Sequence, residues 1–66
     1  MSTLSFKTYC IENYAEYTSQ ASSTVYDIFE KTNLLQHLDE DYEDLHGMSK
    51  EFLMDYFDKW FNGGKK

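Results

Sequence analysis

No proline interrupts this chain, and its three glycines stand at Gly47, Gly63 and Gly64, so breaks before residue 47 fall to polar side chains alone. Apolar residues meanwhile recur at helical spacing along most of the length. That combination predicts an all-α fold: a compact bundle of four short helices at about residues 5–17, 23–32, 34–46 and 50–61. Residues 1–62 then make a single helical domain, and residues 63–66 a disordered tail.

At 100° per residue, the first helix puts Phe6, Cys10, Ile11, Tyr14 and Tyr17 on one arc, with Glu12 and Glu16 opposite. Thr3 or Ser5 is its expected N-cap. Residues 18–22 are small and polar and read as a loop whose final serines cap the second helix. That helix turns Val25, Ile28 and Phe29 inward and Asp27 and Glu30 outward. Thr32 and Asn33 supply a break and a new N-cap, and Gly47 is the expected left-handed stop of the third helix. Ser49 caps the fourth, with Glu51 in its first turn, where a negative charge is favourable.

A chain of 66 residues buries only about 60% of the surface its unfolded form exposes, so the core has to be efficient. Twelve aromatic residues meet that need, each removing roughly 150–250 Å² from water when buried. Cys10 is the one cysteine, which excludes an internal disulfide and a cysteine-based zinc cluster and fits a reducing cytoplasm. No apolar run is long enough to span a membrane, and Met1, Ser2, Thr3 and Leu4 do not resemble a signal peptide. Twelve acids against six lysines give a formal charge of −6, and arginine is absent. Direct nucleic-acid binding is therefore disfavoured, because phosphate and guanine recognition rely on cationic, usually bidentate, groups.

The charge is concentrated. Asp39, Glu40, Asp41, Glu43 and Asp44 share the third helix with no lysine among them, while Leu34, Leu35, Leu38, Tyr42 and Leu45 form its apolar side. On one continuous helix these acids oppose the macrodipole, at roughly 0.3–1 kcal/mol for each badly placed charge. Their spacing along a straight rod also approaches the charge density of duplex DNA, about one per 1.7 Å. The bland alternative is a solvated face that keeps a small protein soluble.

Other chemistry is weakly supported. His37 and Asp41 are four residues apart, but His46 lies about half a turn away, and residues 39–44 lack the glycine and distal glutamate of a calcium loop. Cys10 occupies a core position rather than that of a nucleophile, and no glycine-rich phosphate loop is present. Neither an enzyme, a metal site nor a cofactor is expected. A helix-turn-helix around Thr32 and Asn33 would place the acidic helix against phosphates, which repel it.

The last helix is unusual, since Phe52, Leu53, Met54, Tyr56, Phe57, Trp60 and Phe61 cover about 200° of its circumference. Two arrangements satisfy it. Either it is the central helix onto which the other three pack, or Trp60 and Phe61 form an exposed anchor for a partner or a second copy.

The pattern Phe6, Cys10-Ile11-Glu12-x-Tyr14-Ala15, Val25-Tyr26-x-x-Phe29-Glu30-Lys31, Leu34-Leu35 and Tyr42-x-x-Leu45-His46 resembles a family of short bacterial and phage proteins known as a domain of unknown function. The resemblance spans about residues 6–60 and implies an all-helical fold. Members are often encoded beside ADP-ribosyltransferase-like toxin domains, which implies an accessory or neutralising role and no catalytic residues. This chain departs from the family in its Phe- and Trp-rich last helix and in His37, where tyrosine is common.

Together these readings give a non-catalytic acidic binding module that neutralises or modulates a basic-surfaced protein such as a toxin or nuclease. The expected contact residues are Asp39, Glu40, Asp41, Tyr42, Glu43 and Asp44 with Trp60 and Phe61. Alternatives are an oligomerisation module, such as a homodimer through the last helix, and a phage counter-defence protein imitating DNA charge.

Overall fold

A computed structural model describes residues 2–63, and these form an all-α bundle. Its elements are α1 (Thr3–Thr18), α2 (Ser22–Lys31), α3 (Leu34–Glu40), α4 (Tyr42–Leu45) and α5 (Lys50–Phe61). The four-helix expectation holds except that the third helix breaks at Asp41 into α3 and the single turn α4. Of the expected tail, residues 64–66 lie outside the described residues.

The turns are made differently from the expectation. Ser2, rather than Thr3 or Ser5, caps α1 by accepting the Ser5 N–H at 3.1 Å. At its other end Ser19 turns left-handed (φ 58°), and the Gln20 N–H closes on the Ala15 carbonyl at 2.9 Å. No side chain caps α2: Ala21 is its N-cap residue, and Ser22 donates instead to Glu12 on α1 at 2.8 Å. Asn33 makes the sharp turn into α3 at φ 65°, a conformation asparagine tolerates better than most residues. Gly47 is not left-handed, and α4 simply runs out after Leu45 with His46 still in helical geometry. Ser49 does cap α5, accepting the Phe52 N–H at 3.1 Å.

One core joins all five elements. It comprises Phe6, Cys10, Tyr14 and Ala15 from α1, Val25 and Phe29 from α2, Leu34 and Leu38 from α3, Leu45 from α4, and Leu53, Met54 and Phe57 from α5. The longest helix, α1, packs against α2, α3 and α5 and is the centre of the bundle, a place the breadth of its apolar face had suggested for α5. The outer end of that arc strays from the core, since Tyr17 is 54% exposed.

Four rings fix the middle. Phe29 lies 5.9 Å from Tyr14, 5.3 Å from Phe57 and 5.6 Å from Phe61, so α1, α2 and α5 meet on one side chain. The Phe29–Phe57 and Tyr14–Phe57 contacts are edge-to-face, the geometry the ring quadrupole favours. Asp58 then ties α5 to α1 at the rim, accepting hydrogen bonds from the Tyr14 hydroxyl at 2.7 Å and the Tyr17 hydroxyl at 3.0 Å.

Deleting the Phe29 ring should cost about 3–5 kcal/mol, against a total of roughly 0.05–0.15 kcal/mol per residue. Phe29→Ala is therefore expected to lose between about a third and all of the folding free energy, and Phe29→Leu less, read as the fall in urea midpoint by circular dichroism. A second expectation concerns Cys10, whose thiol burial pushes up from 9.0 to about 12. The fold prefers the neutral thiol, so its contribution is complete below pH 9.0 and is lost as pH rises toward about 12. Burial and Asp58 raise the Tyr14 phenol in the same sense. The urea midpoint should thus fall above pH 9, less steeply in Cys10→Ala, and a thiol reagent at pH 8 should label the native protein far more slowly than the unfolded one.

Candidate functional site

The acids expected on one rod surround the joint between α3 and α4. Asp39 and Glu40 end α3, Asp41 is the joint, and Glu43 and Asp44 begin α4. The break changes the electrostatics. Glu43 and Asp44 occupy a first turn rather than the end of a long helix, so the expected opposition to the macrodipole is confined to Asp39 and Glu40. The comparison with the charge spacing of DNA also required one straight rod, and the bend at Asp41 removes it.

Nor are the five carboxylates equivalent. Asp39 forms an ion pair with Lys7 of α1 at 2.7 Å. Glu40 accepts from the Gln36 amide at 3.0 Å, a neutral partner that leaves its charge in place. Asp41 meets His37 Nε2 at 3.1 Å. Glu40, Glu43 and Asp44 are exposed and have no cationic partner among the described residues. Tyr42 is half-buried beside them, edge-on to Phe6 at 5.5 Å and stacked on His46 at 4.5 Å. The His46 Nδ1–H donates to the Tyr42 carbonyl at 2.8 Å, which turns this imidazole back onto its own helix.

Trp60 and Phe61 stand elsewhere, at the end of α5, and both are half-buried. Phe61 packs on Tyr14 at 5.5 Å and on Phe29, while the Trp60 ring lies 4.8 Å from His37. The breadth of the α5 apolar face thus reflects coverage from several sides: α1 and α2 take Phe57 and Phe61, and α3 takes Trp60. What α5 leaves in the open is Phe52, 45% exposed.

His37 is the residue that links these regions, although its spacing to Asp41 had suggested no more than a possible ligand. From α3 it contacts the Tyr56 hydroxyl through Nε2, the nitrogen that also meets Asp41. Burial, then the Asp41 charge, raises the Tyr56 phenol above its usual range. In a catalytic relay the carboxylate and the nucleophile engage opposite ring nitrogens. Here both partners share one, an arrangement that fixes the ring between two helices rather than passing a proton through it. Helical spacing (Phe52, Tyr56 and Trp60 at four-residue intervals) was the signal that could have located its neighbours.

Among the described residues no three His, Cys, Asp or Glu side chains converge as a metal site would require. An open groove of about 320 Å³ lies between α1 and α5, lined by Tyr17, Lys50, Glu51, Met54 and Asp55. Among the described residues no helix is long and apolar enough to cross a membrane.

These features define a small all-α bundle with an acidic joint and a line of aromatic side chains beside it. Residues 5–59 match the family described as protein of unknown function (DUF3791), and the chain belongs to that family. No curated protein and no solved structure matches it.

Trp60 Nε1 is shielded from solvent and finds no acceptor among the described residues. An orphaned donor costs about 1–3 kcal/mol, so its removal should offset much of the area lost in Trp60→Phe. That variant is expected to match the parent within about 1 kcal/mol in urea denaturation, with Trp60→Ala losing several times more.

Proposed function

We propose that this protein is a non-catalytic, stoichiometric binder that docks the acidic joint on a basic surface of another protein, a toxin or nuclease for example, and occludes it. The observation that carries the reading is the grouping of exposed Glu40, Glu43 and Asp44 at one bend, beside the half-buried ring of Tyr42. Carboxylates at the end of α3 and the start of α4 thus form one anionic cluster suited to a cationic surface. A net charge of −6 steers a basic partner from beyond contact distance and raises the association rate, an effect that salt weakens. Tyr42 supplies the apolar contact, since aromatic groups commonly anchor such interfaces.

The neutralising role also agrees with the toxin-domain neighbours that the family resemblance implies, in a bacterial or phage cytoplasm. Of the carboxylates assigned to contact, Asp39 is held in an ion pair with Lys7, while Asp41 meets His37 through one oxygen and keeps a half-exposed side chain. Phe61 acts here through the stability of α5, packed on Tyr14 and Phe29.

Capture from native bacterial lysate on the immobilised protein, followed by mass spectrometry, tests the reading. A basic protein retained at low salt should elute as salt rises and should be lost from a Glu40→Lys, Glu43→Lys, Asp44→Lys variant. The neutral Glu43→Gln, Asp44→Asn variant should bind at least tenfold more weakly than the parent, mainly through a slower on-rate. Lys7→Gln, which frees the Asp39 charge at a stability cost of about 0–1 kcal/mol, should bind more tightly. Retention indifferent to both salt and charge reversal would sink the proposal.

A further inference from the structure

Four side chains make a continuous run of rings where α3 meets α5. Phe52 stacks on Tyr56 (6.1 Å, 23°) and Tyr56 on His37 (6.0 Å, 16°), and the Trp60 ring is tilted against His37 (4.8 Å, 31°). Asp41 borders the run, its Oδ2 against His37 at 3.1 Å, with the side chain 44% exposed. His37 itself is 23% exposed and Phe52 45%.

We propose that this ladder receives an arginine side chain of a partner polypeptide, an inference that rests on the reading above that the partner surface is basic. Ring faces are negative and attract cations, and a planar guanidinium can stack on a ring while its N–H groups bond a carboxylate beside it. The ladder and Asp41 present those two elements side by side: aromatic surface, then a half-exposed carboxylate that meets His37 through Oδ2 alone. Lysine suits the place less well, because its compact ammonium is strongly hydrated and has no plane to stack. A second copy of this chain is the wrong occupant, since each copy carries a charge of −6 and no arginine at all. On the outer side of the stripe Asp55 is occupied by Lys59 at 3.2 Å, so the acceptor for an incoming cation is Asp41. An arginine here stands next to the acidic joint, and the partner's remaining cations fall on Glu40, Glu43 and Asp44.

The chain's only tryptophan, Trp60, is a built-in reporter at one end of the ladder. The probes are two synthetic helical peptides with identical sequences except that every cationic position is arginine in one and lysine in the other. The arginine peptide should bind about tenfold tighter than the lysine peptide, change Trp60 emission and shift the Phe52 and His37 ring protons. Tyr56→Leu and Asp41→Asn should each remove most of that preference while circular dichroism stays that of the parent. Phe52→Leu, at an exposed position, makes the same test if Tyr56→Leu fails to fold. Equal, salt-sensitive binding of the two peptides with ring protons unmoved overturns the ladder and keeps the acidic reading. An arginine preference that survives all three substitutions also overturns it. Binding of neither peptide brings down both.

Discussion

Contact between the Tyr14, Phe29, Phe57 and Phe61 rings is the interaction on which the rest of this small protein depends. A domain this size has too little interior to spread its stability over many layers. Here α1, α2 and α5 each contribute to one aromatic knot, with Phe29 within 6 Å of the other three ring centres. The elements not in the knot are tied to it through aliphatic side chains: Leu34 and Leu38 hold α3, and Leu45 holds α4. Polar contacts are a rim around this centre, and the Asp58 fork to Tyr14 and Tyr17 is the part that spans the greatest sequence distance.

The acidic joint sits on the same core. Leu38 and Leu45 are both buried, and they are seven residues apart with Tyr42 half-buried between them. Residues at that spacing share one helical face, and the break at Asp41 keeps both in the core while it places Glu43 and Asp44 at a helix start. The charges are thus arranged by packing as much as by any partner, and their distribution between solvent, Lys7 and His37 follows from where the bend falls.

Much of the fold was legible in the chain. Periodicity located α1, α2 and α5 to within about two residues, and Ser49 was recognisable as a cap because serine followed by Lys50 and Glu51 satisfies both hydrogen-bonding and charge preferences. The break at Asp41 was not legible, because neither glycine nor proline marks it and every residue from Leu34 to His46 is compatible with a helix locally; tertiary packing overrides propensity there. Gly47 misled for the converse reason, since glycine permits a left-handed turn without requiring one, and Ser19 and Asn33 make those turns instead. Of the site, the identity of the acids was visible but their partners were not. Lys7 lies thirty-two positions before Asp39, and a single sequence gives no sign that they meet. His37 was undervalued because its significance lies in Tyr56, Trp60 and Asp41, which only the packing of α3 on α5 brings together.

The Asp58 fork has a consequence for how the molecule is made. Neighbouring helices α1, α2 and α3 can begin to associate through contacts close in sequence, which form quickly. The knot closes only when Phe57 arrives, and the Tyr14 and Tyr17 hydroxyls wait for a carboxylate 44 and 41 positions further along. A nascent chain whose α5 is still inside the ribosomal tunnel therefore carries an open, ring-lined trough along α1 and α2. Completion of the aromatic core thus waits for α5.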